Sequence, residues 1–256
     1  MTAVAPLAAA VALAVTPVAY VQSQQREDGG FGDAQLTAWA TLGLLAAGAD
    51  VGRAPEYLAK QQPQSATDLA LVALARAAAG DRPEDLLPRL RAHRHGAAVN
   101  ATIWTVLALR QAGEPVPSAL VQALRTAQHR SGGWSWSRGG APDTNDTAAA
   151  IQALRAVGVS GRPIDRAVAF LRRHQNADGG FELTAGRGSD AQSTAWAIQG
   201  LVGAGRSTGA AAFRYLERLR RADGSYRYSA RHATTPLWVT AQVLPALARK
   251  PFPLRG

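Results

Sequence analysis

The strongest constraint on the fold of this chain is an internal repeat with a period of roughly forty residues. Five apolar segments of similar sequence end in a glycine, and a sixth, residues 236–247, lacks that glycine. The five segments span residues 37–48, 69–80, 102–113, 147–158 and 194–205. Each is apolar around most of its circumference and as long as an average helix, which predicts helices buried on more than one side. The terminal glycines predict helix ends in the left-handed conformation.

A second type of helix is predicted before each buried one. Residues 55–62, 165–175 and 211–221 have amphipathic patterns. In residues 165–175, Val168 and Leu171 fall on one face and arginines on the other, as expected for an outer layer that covers an inner one. Six outer helices alternating with six buried ones satisfy both patterns by closing into a ring, because an open stack would expose apolar surface at its ends. The sequence therefore predicts an all-α fold.

Glycine-rich turns separate the outer helices from the inner ones. They span residues 25–32, 128–136, 175–183 and, with a weaker match, 220–228. In the first three turns a glutamine precedes the second glycine by five residues and an aromatic residue follows it. The paired glycines predict turns that need a positive φ. Because each turn leads from an outer helix into an inner one, we expect all of them at one end of the ring, called here the mouth.

The sequence around the third turn resembles a known repeat. Residues 166–181, RAVAFLRRHQNADGGF, are similar to the glutamine-tryptophan repeat of squalene-hopene cyclases, with Phe181 in place of tryptophan. The resemblance extends over nearly the whole chain after residue 16. It implies an alpha/alpha toroid of about six helix pairs, the fold shared by terpene cyclases, protein prenyltransferase beta subunits and cobalamin carriers. Those relatives have unrelated activities, so the resemblance implies a fold and leaves the function open.

One motif of the cyclases has a counterpart here. In the cyclases, Asp-x-Asp-Asp-Thr-Ala opens an inner helix, and its middle aspartate protonates an alkene or epoxide. The corresponding residues are Asp143 to Ala148, with Asn145 in place of the acid, and an amide has no proton acidic enough to donate. Other units have similar residues at the same spacing, four or two positions before a threonine: Asp33, Gln35, Asn100, Asp190 and Gln192. We therefore predict that these side chains cap inner helices that begin at the threonines.

Aromatic residues extend the predicted site. Trp39, Trp104, Trp196 and Trp238 are predicted to share one position in four inner helices, as a packing layer or as the lining of an axial cavity. Trp134 with Trp136, and Tyr226 with Tyr228, alternate as in extended strands, so each pair is expected on one side of a loop. The predicted ligand-binding residues are Asp33, Gln35, Trp39, Trp134, Trp136, Asp143, Asn145, Asp146, Asp190, Gln192, Trp196, Tyr226, Tyr228 and Trp238.

Composition and the N-terminus restrict the function further. The absence of cysteine excludes disulfides, thiolate metal ligands and cysteine nucleophiles, and with only five histidines we predict no metal site and no cofactor. The net charge is +10, but the basic residues are scattered, so nucleic-acid binding is not predicted. Residues 2–15 are apolar and contain Ala12-Leu13-Ala14. This pattern predicts an export signal at residues 1–14, a toroid domain at residues 15–256, an exported protein and no permanent membrane span.

The function predicted from these features is non-catalytic binding of a small apolar or partly anionic ligand at the mouth. Three alternatives stay open. The first is a protonation-initiated isoprenoid cyclase of class II, with Asp143 or Asp146 as the catalytic acid. The second is a glycosidase that uses two of the aspartates as a carboxyl pair. The third is a scaffold that binds a peptide or a cell-envelope partner across the mouth.

Overall fold

The computed structural model describes residues 15–94, 96 and 98–254. The predicted export signal, residues 1–14, lies outside the described residues. The described chain forms twelve helices and one short antiparallel strand pair. The helices are α1 Pro17–Ser23, α2 Ala34–Ala46, α3 Ala54–Ala59, α4 Ala66–Ala78, α5 Leu87–Arg91, α6 Val99–Gln111, α7 Ser118–Thr126, α8 Thr144–Ala156, α9 Arg162–Arg173, α10 Ala191–Gly203, α11 Gly209–Leu219 and α12 Pro236–Leu247. The strands are β1 Phe181–Glu182 and β2 Ser189–Asp190.

The six even-numbered helices form a closed inner ring. Each contacts the next along the chain, and α12 contacts α2, which completes the circle. The contact between α12 and α2 is close because Gly43 of α2 lies against the backbone carbonyl of Ala241, where a side chain would have no room. The odd-numbered helices pack outside this ring; α3, for example, contacts both α2 and α4. The predicted all-α toroid of six helix pairs is therefore confirmed.

The two layers bury side chains as their sequences predict. Every residue of α6 from Val99 to Leu109 is buried, whereas α9 buries only one face, which includes Ile164, Phe170 and Leu171. No helix within residues 15–94 and 98–254 is both long and apolar enough to cross a lipid bilayer.

Five of the six inner helices begin three residues earlier than the sequence predicted, and α12 begins at Pro236 as predicted. Helices α2, α8 and α10 begin three residues before their threonines, and the aspartates Asp33, Asp143 and Asp190 are the N-caps. Their carboxylates accept hydrogen bonds from backbone N–H groups at 2.7 to 2.8 Å. Capping by the aspartates is thus confirmed, and capping by the amides is wrong. The amides Gln35, Asn100, Asn145 and Gln192 lie within the first helical turn, where they can reach neighbouring helices.

The threonines instead fix the turns that precede the helices. In four units the aromatic residue after the paired glycines, or after Gly-Ser in the last unit, donates its backbone N–H to a threonine Oγ1 at 2.9 Å. These pairs are Phe31 with Thr37, Trp134 with Thr147, Phe181 with Thr194 and Tyr226 with Thr240. All four aromatic side chains are buried in the core. The repeated aromatic residue therefore packs in the core and fixes the turn that joins an outer helix to an inner helix.

The C-terminal segment closes the end of the ring opposite the mouth, called here the base. Arg249 adopts the left-handed conformation, with φ 54°, beyond the end of α12. The chain then passes under the ring, where the backbone N–H of Phe252 donates to Gln152 Oε1 at 2.7 Å. Gln111 Nε2 donates to the carbonyl of Leu254 at 3.0 Å. The buried Phe252 side chain thus seals the axis from below.

Candidate functional site

Each inner helix contributes two side chains to the axis, spaced four residues apart. Because the helical period is 3.6 residues, positions i and i+4 lie on the same face. The residues nearer the mouth, called the upper layer, are Gln35, Thr67, Asn100, Asn145, Gln192 and Trp238. The residues four positions later, called the lower layer, are Trp39, Leu71, Trp104, Ala149, Trp196 and Gln242. Together these two rings define one axial site.

A cavity of about 300 Å³ lies within these layers and is called here the mouth cavity. Both layers line it, together with Trp136, Asp143, Asp146 and Leu183. Ala149 is the smallest side chain of the lower layer, where three of the other five members are tryptophans. The missing bulk at Ala149 therefore leaves space directly below the start of α8.

Tryptophan rings form the floor of the mouth cavity. The ring centroids of Trp39, Trp104 and Trp196 lie 5.3 to 5.6 Å apart with edge-to-face orientations. The Phe252 ring packs against two of them, at 6.4 Å from Trp39 and 6.3 Å from Trp196. Such contacts are favourable between aromatic quadrupoles. The indole N–H of Trp39 has no oxygen or nitrogen partner and is buried within this aromatic cluster. The floor is therefore apolar and closed.

The upper layer forms hydrogen bonds between neighbouring helices. Asn100 joins α4 to α8, because its Oδ1 accepts from Thr67 Oγ1 at 3.3 Å and its Nδ2 donates to Asp146 Oδ1 at 2.6 Å. Gln192 Nε2 donates to Gln242 Oε1 at 2.8 Å, which joins α10 to α12. Between these two groups lies Asn145, whose Oδ1 is buried and has no hydrogen-bond partner. The network of the upper layer is thus interrupted at Asn145.

Two carboxyl groups lie together at the start of α8. Asp146 is 5% exposed, and Asp143 Oδ1 accepts the backbone N–H of Asp146 at 2.8 Å. Burial, reinforced by the charge of Asp146, raises the pKa of Asp143 to about 8. Burial also raises the pKa of Asp146, against the opposing effect of the hydrogen bond from Asn100. This acid pair, Asp143 and Asp146, therefore retains at least one proton at neutral pH.

The mouth cavity brings together many, but not all, of the predicted site residues. It gathers Gln35, Trp39, Trp136, Asp143, Asn145, Asp146, Gln192, Trp196 and Trp238. Asp33 lies outside it as an exposed cap, and Trp134 and Tyr226 belong to the core because they bind the helix threonines. Asp190 and Tyr228 line a separate groove between two loops. The structure therefore does not place these five residues in the mouth cavity with the others.

Two predictions about the aromatic residues also need correction. Trp134 is fully buried whereas Trp136 is 56% exposed, so the two rings do not share one side of the loop. Residues i and i+2 of an extended strand lie on the same side. Here the Trp134 indole is instead held in the core, because its Nε1–H donates to the carbonyl of Leu124 at 2.7 Å. Trp238 belongs to the upper layer, and Gln242 takes the position that Trp39 has in α2. The reason is that Thr240, which binds the Tyr226 backbone, sets the register of the last unit.

Seven lining residues were not predicted as part of the site. They are Thr67, Leu71, Asn100, Trp104, Ala149, Leu183 and Gln242. Six of these follow from one rule, since they lie two residues before or after the position of the threonine in each unit. Applying that spacing to all six units would have found them. Leu183 lies in the loop after β1, and no repeat position indicates it.

Comparison with known proteins agrees with this geometry. The model of the squalene-hopene cyclase C-terminal domain matches residues 93–254, more than half of the chain. The chain belongs to this family. No functionally curated protein matches it in sequence. In residues 143–148, which resemble the cyclase motif Asp-x-Asp-Asp-Thr-Ala, Asn145 stands in place of the middle aspartate.

Solved structures share the fold at low identity. The type II terpene cyclase MstE from Scytonema is 17% identical, with a TM-score of 0.68 over 91% of this chain and 95% of that chain. A protein from Actinoplanes is 19% identical, with a TM-score of 0.72 over 91% of this chain and 97% of that chain. A glycosidase in complex with glucose is 12% identical, with a TM-score of 0.69 over 91% and 94%. These TM-scores show that the chain shares the fold of the three proteins.

Proposed function

We propose that this squalene-hopene cyclase-like chain is a non-catalytic binding protein that holds a small apolar molecule in the mouth cavity. The observation that carries the proposal is the composition of the cavity wall. Five tryptophans, including Trp104 and Trp196, surround a void, and the position of the cyclase acid holds Asn145. Aromatic side chains bury large apolar area and orient flat or hydrocarbon ligands.

The shape of the cavity supports a ligand of limited size. A volume of about 300 Å³ is at the lower end of the range of roughly 300 to 1,000 Å³ that is typical of ligand pockets. The aromatic floor and Phe252 prevent a longer molecule from extending toward the base. Among proteins of this fold, a variant of MstE has been solved with geranylgeranyl dihydroxybenzoate as its substrate.

Filling the cavity tests the proposal. Geraniol, a ten-carbon alcohol, is titrated into the protein by calorimetry, with tryptophan fluorescence as a second signal. Ala149→Trp places an indole at the position that tryptophan already occupies in three other inner helices, so binding should weaken at least about tenfold. Ala47→Trp, at an exposed site beyond the far end of α2, is the matched control and should bind geraniol normally. Equal binding by a folded Ala149→Trp protein would contradict the proposal, as would no binding by the wild type.

A second candidate function is a class II cyclase. The observation that favours it is the acid pair, which holds a proton at neutral pH beside tryptophan rings. The protein is incubated with squalene or with geranylgeranyl diphosphate, and products are analysed by gas chromatography with mass spectrometry. A cyclic product that disappears in the Asp143→Asn, Asp146→Asn double variant would establish this function. No product from the wild type would eliminate it.

A further inference from the structure

We propose that the ligand of the mouth cavity carries a positively charged amino group, which the acid pair and the amide oxygen of Asn145 bind. This inference rests on the proposed binding function and names the chemical class of the ligand. It differs from the partly anionic ligand predicted from sequence, for which the cavity lining offers no cationic partner among the described residues.

The first argument is a charge imbalance. Asp143 and Asp146 line the cavity, and none of the described residues that line it is lysine, arginine or histidine. Toward the mouth, the charged groups of neighbouring elements are again acids: Asp68 on α4, Glu182 on β1 and Asp190 at the start of α10. The arginines of the inner helices, Arg76, Arg110 and Arg155, lie in the last turns, toward the base, and the His93 ring lies 3.4 Å from Thr102 Oγ1 on α6. The loop arginines Arg138 and Arg187 are exposed, Arg138 binds the carbonyl of Gly96, and Arg187 interacts with Asp190 and Tyr228. A buried carboxylate without a counter-charge is unfavourable, and a bound cation removes that cost.

The second argument is an unused hydrogen-bond acceptor. Asn145 lies on α8 between the acid pair residues, and its buried Oδ1 has no partner. An alkylammonium group has three N–H donors and no acceptor. It therefore matches a site that offers two carboxyl groups and one amide oxygen. An anion would instead place like charges against the acid pair.

The third argument is the aromatic wall. Trp136 and Trp238 line the same cavity as the acid pair, and Trp104 and Trp196 form its floor. Organic cations bind over tryptophan faces by cation–π attraction, which is strongest when the cation is shielded from water. The floor then accommodates the hydrocarbon part of the molecule. The acid pair and Asn145 thus bind the amino group of the ligand, and the tryptophan floor binds its hydrocarbon part.

A series of probes with one hydrocarbon skeleton tests this inference. Binding of geranylamine, geraniol and geranic acid is measured by calorimetry between pH 6 and pH 9. At pH 8.5 we expect geranylamine to bind at least about tenfold more tightly than geraniol, and geranic acid to bind most weakly. As the pH falls, protons compete with the ammonium for the carboxylates. Affinity for geranylamine should therefore decrease by up to about tenfold per pH unit below pH 8, while affinity for geraniol stays constant.

Isosteric variants locate the effect. Asp143→Asn and Asp146→Asn each remove one ionisable group, and the Asp143→Asn variant keeps a cap on α8 because asparagine is as good an N-cap as aspartate. Each should reduce the ratio of geranylamine affinity to geraniol affinity to less than about threefold. Asp190→Asn is the matched control, since Asp190 is a buried N-cap that lies outside the mouth cavity. It should leave the preference unchanged.

The outcomes separate the two proposals. If geraniol binds and geranylamine binds no more tightly, the amine inference is overturned and the binding function stands. A preference for geranic acid, or an amine preference that survives in both Asp143→Asn and Asp146→Asn, also overturns it. If none of the three probes binds, the proposed function fails together with the inference.

Discussion

The cavities at the two ends of the toroid are lined by charged side chains of opposite sign. At the mouth, inner helices such as α8 and α10 begin with aspartate caps, Asp143 and Asp190. The negative charge of these caps interacts favourably with the positive end of the helix dipole. At the base, Arg155, Arg249 and Lys250 line a second cavity of about 390 Å³ near the helix C-termini. Acids at the helix N-termini and cations near the helix C-termini both interact favourably with the helix dipole. The sign of the charge at either end therefore does not by itself indicate function.

The difference between the ends is whether the charges have partners. Arg155 donates to the carbonyls of Gly203 and Val159, and Arg249 lies over the Phe213 ring at 4.4 Å and is exposed to water. At the mouth Asp146 is buried and Asp143 is half-buried, and no described residue that lines the mouth cavity with them is a cation. The cations of the base are thus bonded to carbonyls, stacked on a ring or exposed to water, and Phe252 separates the base cavity from the axis. The acid pair has none of these compensations, so we expect the ligand of the proposed function at the mouth.

The largest effect is expected from opening the closed end. Phe252→Ala removes the ring that packs under Trp39 and Trp196 and should lower the free energy of unfolding by about 3 to 5 kcal/mol. Urea denaturation measures this change. Phe252→Leu keeps most of the volume and should cost less than about 1.5 kcal/mol. Equal stability of Phe252→Ala and wild type would show that the C-terminal segment does not seal the base.

The next effect concerns the unbalanced charge at the mouth. The folded pKa of Asp143, about 8, lies above the ordinary value of about 3.9. Stability from this group is therefore fully present below about pH 4 and is lost as the pH rises through about 8. Asp143→Asn cannot ionise, so at pH 9 it should be more stable than wild type by at least about 2 kcal/mol, with little difference at pH 4.

Chemical denaturation at both pH values measures this dependence. Asp33→Asn makes the same change at an exposed cap outside the mouth cavity and serves as the control. A stability difference for Asp143→Asn that is the same at pH 4 and pH 9 would contradict the buried carboxyl at the mouth.

The sequence predicted the closed ring well because the burial pattern repeats in all six units. It predicted five of the six inner-helix starts three residues late, since the apolar segments are easier to recognise than the caps, which differ between Asp33 and Ser65. Ala149 escaped notice because a small apolar residue resembles any other core alanine until its lower-layer neighbours are known. Phe252 was missed because its contact with Trp39 joins opposite ends of the chain, and no local pattern indicates such a contact.

A smaller effect tests the link between the loops and the mouth. Thr147→Val removes the hydroxyl that accepts the backbone N–H of Trp134 and leaves that N–H buried without a partner. The expected loss of stability is about 1 to 2 kcal/mol. Thr126→Val, at an exposed position on α7, should change stability by less than about 0.5 kcal/mol. Thermal unfolding of both variants measures these changes. Equal stability of Thr147→Val and wild type would show that this hydrogen bond does not fix the loop to α8.

The smallest effect separates capping from binding among the mouth aspartates. Asp33 caps α2 through Leu36 N–H at 2.8 Å but is exposed and does not line the mouth cavity. Asp33→Ala should therefore cost about 1 kcal/mol of stability, and Asp33→Asn should restore most of it, since asparagine caps equally well. Neither change should alter the affinity for geranylamine, in contrast to Asp143→Asn. If Asp33→Ala weakened that affinity as much as Asp143→Asn does, the general negative charge of the mouth would bind the amine. The buried acid pair would then have no special part in recognition.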